Sequence, residues 1–194
     1  SIPGIIKLID FGLSRVIENS GLPKNYGVVT VWYRAPELLL GDTNYDTKID
    51  IWSAGCIFAE LLAPKKALFA TQKNQERDPT QFNQAQLLTI LNILGPISDT
   101  DVPQKCTFRN ELMRITPGIR QSRLNEFVPT NNEQAFDLLQ RMLCYNPVNR
   151  ISAHEALRHP YFSENPICVM NISGHIPIDE WKALTNLGCT TTES

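Results

Sequence analysis

Thr47-Lys48-Ile49-Asp50-Ile51-Trp52-Ser53-Ala54-Gly55-Cys56-Ile57-Phe58-Ala59-Glu60-Leu61-Leu62-Ala63 is the stretch whose reading decides the fold. Asp46 stands before it as an N-cap, and Pro64 ends it because proline has no N–H with which to continue a helix. Ile49, Ile51, Trp52, Ala54, Cys56, Ile57, Phe58, Ala59, Leu61 and Leu62 reach nearly every side. A helix apolar all round is a buried one, so this segment is expected to be the central post of a domain.

Downstream, Gln84 to Leu94 reads as a second helix with Leu87, Leu88, Leu91 and Leu94 on one side, stopped by Gly95-Pro96. Glu133 to Cys144 is amphipathic, with Ala135, Phe136, Leu139, Met142 and Leu143 at the helical period. Ser152 and Glu155 form a capping box that opens a short last helix through Arg158. Ala70 to Asn83 is a polar, aperiodic insertion, Ile97 to Pro129 reads mostly as loop, and the tail after Phe162 as extended surface chain. Upstream, Ile5 to Ile9 is apolar and β-branched after Pro3-Gly4, a short strand broken by Asp10-Phe11-Gly12. Residues 13–36 carry Gly21, Pro23, Gly27 and Pro36 with no period, a long loop of the kind that is usually either functional or disordered. The fold class is therefore mainly α.

Composition narrows the function classes. A hydrophobic content of 42% in 194 residues supports a packed core. Lys+Arg number 18 against 20 Asp+Glu, with no basic run, so phosphate-backbone binding to nucleic acid is not expected. The apolar run from Ile49 to Ala63 is interrupted by Asp50 and Glu60 and is too short to span a bilayer. Cys56, Cys106, Cys144, Cys168 and Cys189 lie far apart without a CxxC pair, which fits reduced intracellular thiols. His154, His159 and His175 fall at no metal-ligand spacing with them, so no zinc site is assigned.

Four elements stand in order around the central helix: Asp10-Phe11-Gly12 at a strand end, Ala35-Pro36-Glu37 closing the loop, Asp50-Ile51-Trp52 opening the helix, and Arg150 after Asn146-Pro147. Alone, Asp-Phe-Gly is a turn. Together the set resembles the second half of a protein kinase domain, over at least Ile6 to Phe162. Val28-Val29-Thr30-Val31-Trp32-Tyr33-Arg34-Ala35-Pro36-Glu37-Leu38-Leu39-Leu40-Gly41 looks like a cyclin-dependent kinase activation segment, and Gly55 to Leu61 continues the likeness. Asn25 occupies the position where most of that family has a phosphorylatable Thr. That trait, the insertion around Arg77 to Phe82, and the tail Phe162 to Pro166 with Ile176-Pro177 resemble the Mediator-associated, cyclin C-dependent subgroup.

The resemblance implies the C-terminal lobe of the protein kinase-like fold, starting at the strand before Asp-Phe-Gly. Residues 1–165 would be the kinase part, with the activation segment at 10–37, and 166–194 a C-terminal extension. It implies ATP and Mg²⁺ as cofactors, a cyclin (cyclin C-like) and Mediator subunits as partners, a nuclear location, and a role in transcription. Catalytic and cofactor roles fall on Asp10, which would hold Mg²⁺ through its carboxylate, on Phe11, expected to pack inward, and on Gly12. Thr30 would hydrogen-bond the Asp and Lys of the catalytic loop. Val29, Trp32 and Arg34 would bind substrate: the Val29 carbonyl turned toward Arg34 denies a partner to a substrate N–H, at a cost of roughly 1–3 kcal/mol if buried. Proline has no N–H to lose, so Ser-Pro and Thr-Pro sites are expected.

Glu37, Asp50 and Arg150 take structural roles: Glu37 and Arg150 as an ion pair, and Asp50 as a helix carboxylate that needs a partner. Arg15 matches an arginine that grips the activation phosphate. A chain starting at Ser1 reads as a fragment or as an incomplete gene model. The catalytic loop, Gly-rich loop and strand Lys of the family precede Asp-Phe-Gly, so this chain alone is expected to be inactive, with Trp52, Ile57, Phe58 and Leu61 left uncovered. The alternative is a non-catalytic interaction module that docks partners through the second helix and the insertion.

Overall fold

The computed structural model describes residues 8–14, 31–64, 67–71, 82–102 and 106–164. Seven α-helices follow in order: α1 (Pro36–Leu39), α2 (Lys48–Leu62), α3 (Gln84–Leu94), α4 (Arg109–Ile115), α5 (Leu124–Phe127), α6 (Glu133–Met142) and α7 (Ala153–Ala156). Turns of 3-10 helix lie at Phe11–Leu13, Val31–Tyr33, Asp99–Asp101 and Pro160–Ser163. Among the described residues there is no strand. Of the expected strand, only Leu8 and Ile9 are described; both are irregular and exposed, and no described strand stands beside them to complete a ladder.

α2 is the post, but it is not buried all round. Trp52, Gly55, Cys56 and Ala59 form the buried stripe, while Asp50, Ala54, Ile57 and Leu61 form an exposed one on the opposite side. Leu61 is 74% exposed and Ile57 52%. Trp52, expected to be uncovered, is instead fully buried: it stacks on Phe69 at 5.7 Å and lies 6.4 Å from Tyr145. Phe58 meets Tyr161 edge-on at 5.2 Å. The apolar pattern alone could not separate the two stripes, because both carry hydrophobic residues. Thr47 takes the N-cap position, but the capping bond comes from Asp46, whose Oδ1 accepts from the Lys48 N–H at 2.8 Å.

α2 packs on α6 with very close backbone approach: a Cβ at Gly55 would lie 3.0 Å from Met142 Cβ and 3.1 Å from Leu143 Cδ2. α6 buries Ala135, Leu138 and Leu139 and is capped by Asn132, whose Oδ1 accepts from the Ala135 N–H. It ends at Met142, two residues short of the expected end, and the last helix stops at Ala156, before Arg158. Both are end-fraying differences. The Ser152–Glu155 capping box is complete. His159 ties the final turn to α6: its Nε2 is 2.8 Å from Asp137 Oδ2, and its Nδ1 accepts from the Tyr161 N–H.

α3 packs against α4 and α5 through Leu87, Ile90, Leu91 and Ile93. It ends where expected, at Gly95, whose φ of +93° suits glycine and whose missing Cβ would lie 2.8 Å from Ser122 N. The Tyr145 hydroxyl donates to the Gly95 carbonyl at 2.8 Å, which links this unit to α2 and α6. The stretch 97–129, read as mostly loop, contains α4 and α5. Their short apolar runs, seated by Leu112 and Leu124, gain helical order from packing on α3 rather than from a long periodic pattern.

Candidate functional site

Asp10 adopts a left-handed backbone conformation (φ 62°, ψ 69°), with its Oδ1 accepting weakly from the Gly12 N–H at 3.4 Å. Its carboxylate is exposed and open to a cation. Phe11 does not pack inward: it is 67% exposed, and Gly12 is exposed too. Among the described residues no group of three His, Cys, Asp or Glu could hold a metal, and a lone carboxylate such as that of Asp10 could serve a hard cation only as one ligand among several. Val29, Thr30, Arg15 and Asn25 lie outside the described residues, as do Arg77 to Gln81 of the insertion and the extension 166–194.

Trp32 and Arg34 sit on a turn fixed to the post from several sides. The Trp32 Nε1–H donates to Thr71 Oγ1 at 3.3 Å, and the Ser53 hydroxyl donates to the Tyr33 carbonyl at 2.9 Å. The Tyr33 hydroxyl donates to Glu60 Oε2 at 3.3 Å. Burial, then the Glu60 carboxylate, pushes the Tyr33 phenol above its usual range, so it remains a donor. Burial and the same carboxylate push the Cys56 thiol up to about 12. The sequence assigns no site role to Ser53, Glu60 or Thr71. The signal was present for Glu60, a carboxylate inside an apolar helix that must find a partner. Asp50, expected on the same ground to need a partner, is exposed to solvent.

Glu37 and Arg150 do meet. The guanidinium donates from Nη1 to Glu37 Oε1 at 2.7 Å and from Nη2 to Oε2 at 2.8 Å, with both side chains 1% exposed or less. Arg150 also donates to three backbone carbonyls: Cys144 (2.9 Å), Lys48 (2.8 Å) and Tyr145 (3.2 Å). These use every N–H of a guanidinium. Its plane lies 5.2 Å over Trp52, and Lys48 Nζ donates back to the Arg150 carbonyl. One side chain thus joins the end of the activation segment, the start of α2, and the turn after α6. Both charges are desolvated, so the bond geometry has to compensate, and here it does.

A helical lobe built on such a post, with Asp-Phe-Gly upstream and a buried Glu–Arg clamp at the end of the activation segment, is the architecture of a kinase C-terminal lobe. The chain belongs to the protein kinase domain family, whose model matches residues 2–162. It is similar to a Dictyostelium discoideum protein named "Probable cyclin-dependent kinase 8", 38% identical over 87% of this chain and 45% of the relative. It is likewise similar to the serine/threonine-protein kinase SSN3 of Yarrowia lipolytica, 39% identical over 87% of this chain and 44% of the relative. Rice mitogen-activated protein kinase 4 is 43% identical over 81% of this chain and 40% of its own length. The chain spans less than half the length of these curated relatives.

Proposed function

We propose that this chain is the C-terminal-lobe part of an ATP- and Mg²⁺-dependent, proline-directed Ser/Thr kinase of the cyclin-dependent type, acting in the nucleus on the transcription machinery. The observation that carries the reading is the buried Glu37–Arg150 clamp, which fixes the end of the segment that contains Trp32 and Arg34. A segment anchored this firmly is suited to present a substrate-recognising surface, since positioning is most of what a phosphoryl-transfer protein supplies. In this reading Asp10 holds Mg²⁺ against the ATP phosphates, and Thr30 orders the catalytic loop of the full-length protein. Val29, Trp32 and Arg34 then select Ser-Pro or Thr-Pro. The mitogen-activated relatives are as similar as the cyclin-dependent ones. The cyclin-dependent reading, with a cyclin C-like partner and Mediator subunits, therefore rests on Asn25, the polar insertion and the tail.

The test is a full-length kinase purified with its cyclin and given ATP, Mg²⁺ and paired peptides that differ only in Ser-Pro against Ser-Ala. Transfer to the Ser-Pro peptide alone, abolished by Asp10→Asn, is the expected result. Equal transfer to both peptides overturns the proline-directed reading, and no transfer overturns the kinase reading.

A further inference from the structure

Thirteen prolines occur in the chain, and only Pro117 follows a Ser or Thr. Thr116-Pro117 is thus its one internal match to the specificity proposed above, and it lies in a conspicuous place. α4 ends at Ile115, and Thr116 is its C-cap, held in the right-handed helical region at φ −71° and ψ −34°. The Pro ring disfavours that region for the residue before it, so the helix goes no further than this turn. Pro117 and Gly118 are exposed, and a Cβ built on Gly118 meets nothing within 4 Å. The turn is held by the Thr116 N–H and Oγ1–H, both donating to the Leu112 carbonyl at 3.1 and 2.8 Å, and by the Ile119 N–H donating to the Thr116 carbonyl at 3.1 Å. Arg114 and Arg120 stand exposed on either side.

We infer that Thr116 is a phosphoacceptor for proline-directed kinases, a second copy of the full-length protein included; that last clause rests on the proposed function. The γ-phosphoryl group of ATP would pass to Thr116 Oγ1. The bond to the ADP oxygen breaks, the Oγ1–P bond forms, and the hydroxyl proton leaves to the kinase's base. The modification has a defined structural effect. Oγ1 loses the hydrogen that it gives to Leu112, and a dianion is placed at a helix C-terminus, where the partial charge is already negative. Phosphorylation therefore loosens the last turn of α4.

The full-length protein, purified with its cyclin, is incubated with ATP, Mg²⁺ and an active mitogen-activated protein kinase, in parallel with ATP and Mg²⁺ alone, and Thr116 occupancy is read by peptide mass spectrometry. A synthetic peptide covering residues 110–122 and a Ser-Pro reference peptide serve as controls. Expected are modification of Thr116 in the folded protein by the added kinase, its loss in Pro117→Ala, and amide exchange at 115–119 about fivefold faster after modification, the loss of one net hydrogen bond. Labelling of the 110–122 peptide but not of the folded protein overturns the inference, because the fold then shields the site. Failure of the peptide itself to be labelled overturns it as well. If ATP and Mg²⁺ alone modify neither Thr116 nor the Ser-Pro reference peptide while the added kinase modifies Thr116, the proposed activity fails and the site stands.

Discussion

Replacing Glu37 by Gln in the full-length protein removes one negative charge and almost no volume. Arg150 stays 1% exposed or less, so its positive charge is left desolvated. Of the two bonds at 2.7 and 2.8 Å, one keeps an amide oxygen as acceptor; at the other an amide N–H faces a guanidinium N–H. Breaking one side of a buried pair costs about 3–5 kcal/mol. In a domain whose total stability is about 5–15 kcal/mol, that is a large share. At about 2–4 °C per kcal/mol for a domain of this size, the melting temperature should fall by about 6–20 °C. The assay is urea unfolding of wild type and variant with the slope compared, so that a change in midpoint reports stability. Arg150→Met should cost more than Glu37→Gln, because it also strands the carbonyls of Cys144, Lys48 and Tyr145. A Glu37→Gln loss under about 1 kcal/mol, the range of exposed pairs, would refute the reasoning.

Cys56 and Cys106, pushed up to about 12 chiefly by burial, should resist iodoacetamide at pH 8 in the native protein and react once it is unfolded; intact-mass spectrometry with and without urea reads this directly. The His159 hydrogen bond, aided by Arg141, holds the Asp137 carboxyl below its usual value. Its contribution to stability is therefore present above about pH 4 and lost as pH falls further, so Asp137→Asn should flatten the acid limb of the stability curve below that point and leave pH 7–8 unaffected in shape. Asn132→Ala removes the α6 cap and should cost about 0.5–2 kcal/mol in the same urea assay. The isolated 194-residue chain should self-associate through the exposed Ile57–Leu61 stripe; sedimentation of the Ile57→Glu/Leu61→Glu double variant should shift toward monomer, and an unchanged distribution would discount that face.

The sequence by itself determined the helical class, the post, the α3 bounds, the capping box at Ser152, and the pairing of Glu37 with Arg150. Each rests on a short-range rule or on an ordered set of motifs that survives without coordinates. Which side of α2 faces inward was decided only in three dimensions, because Ile57 and Leu61 are as apolar as Trp52 and Cys56, and only the positions of α6 and Phe69 choose between them. The same holds for carboxylate partners. Asp50 and Glu60 look alike along the chain, but the turn at Val31–Tyr33 folds over the Glu60 end of the helix and brings a phenol to it, while Asp50 is left to water. A long-range contact such as 33 to 60 carries no local signature. A hydrogen bond between side chains distant in sequence is set by how whole helices pack, and that packing is the sum of many small apolar contacts rather than a property of either residue.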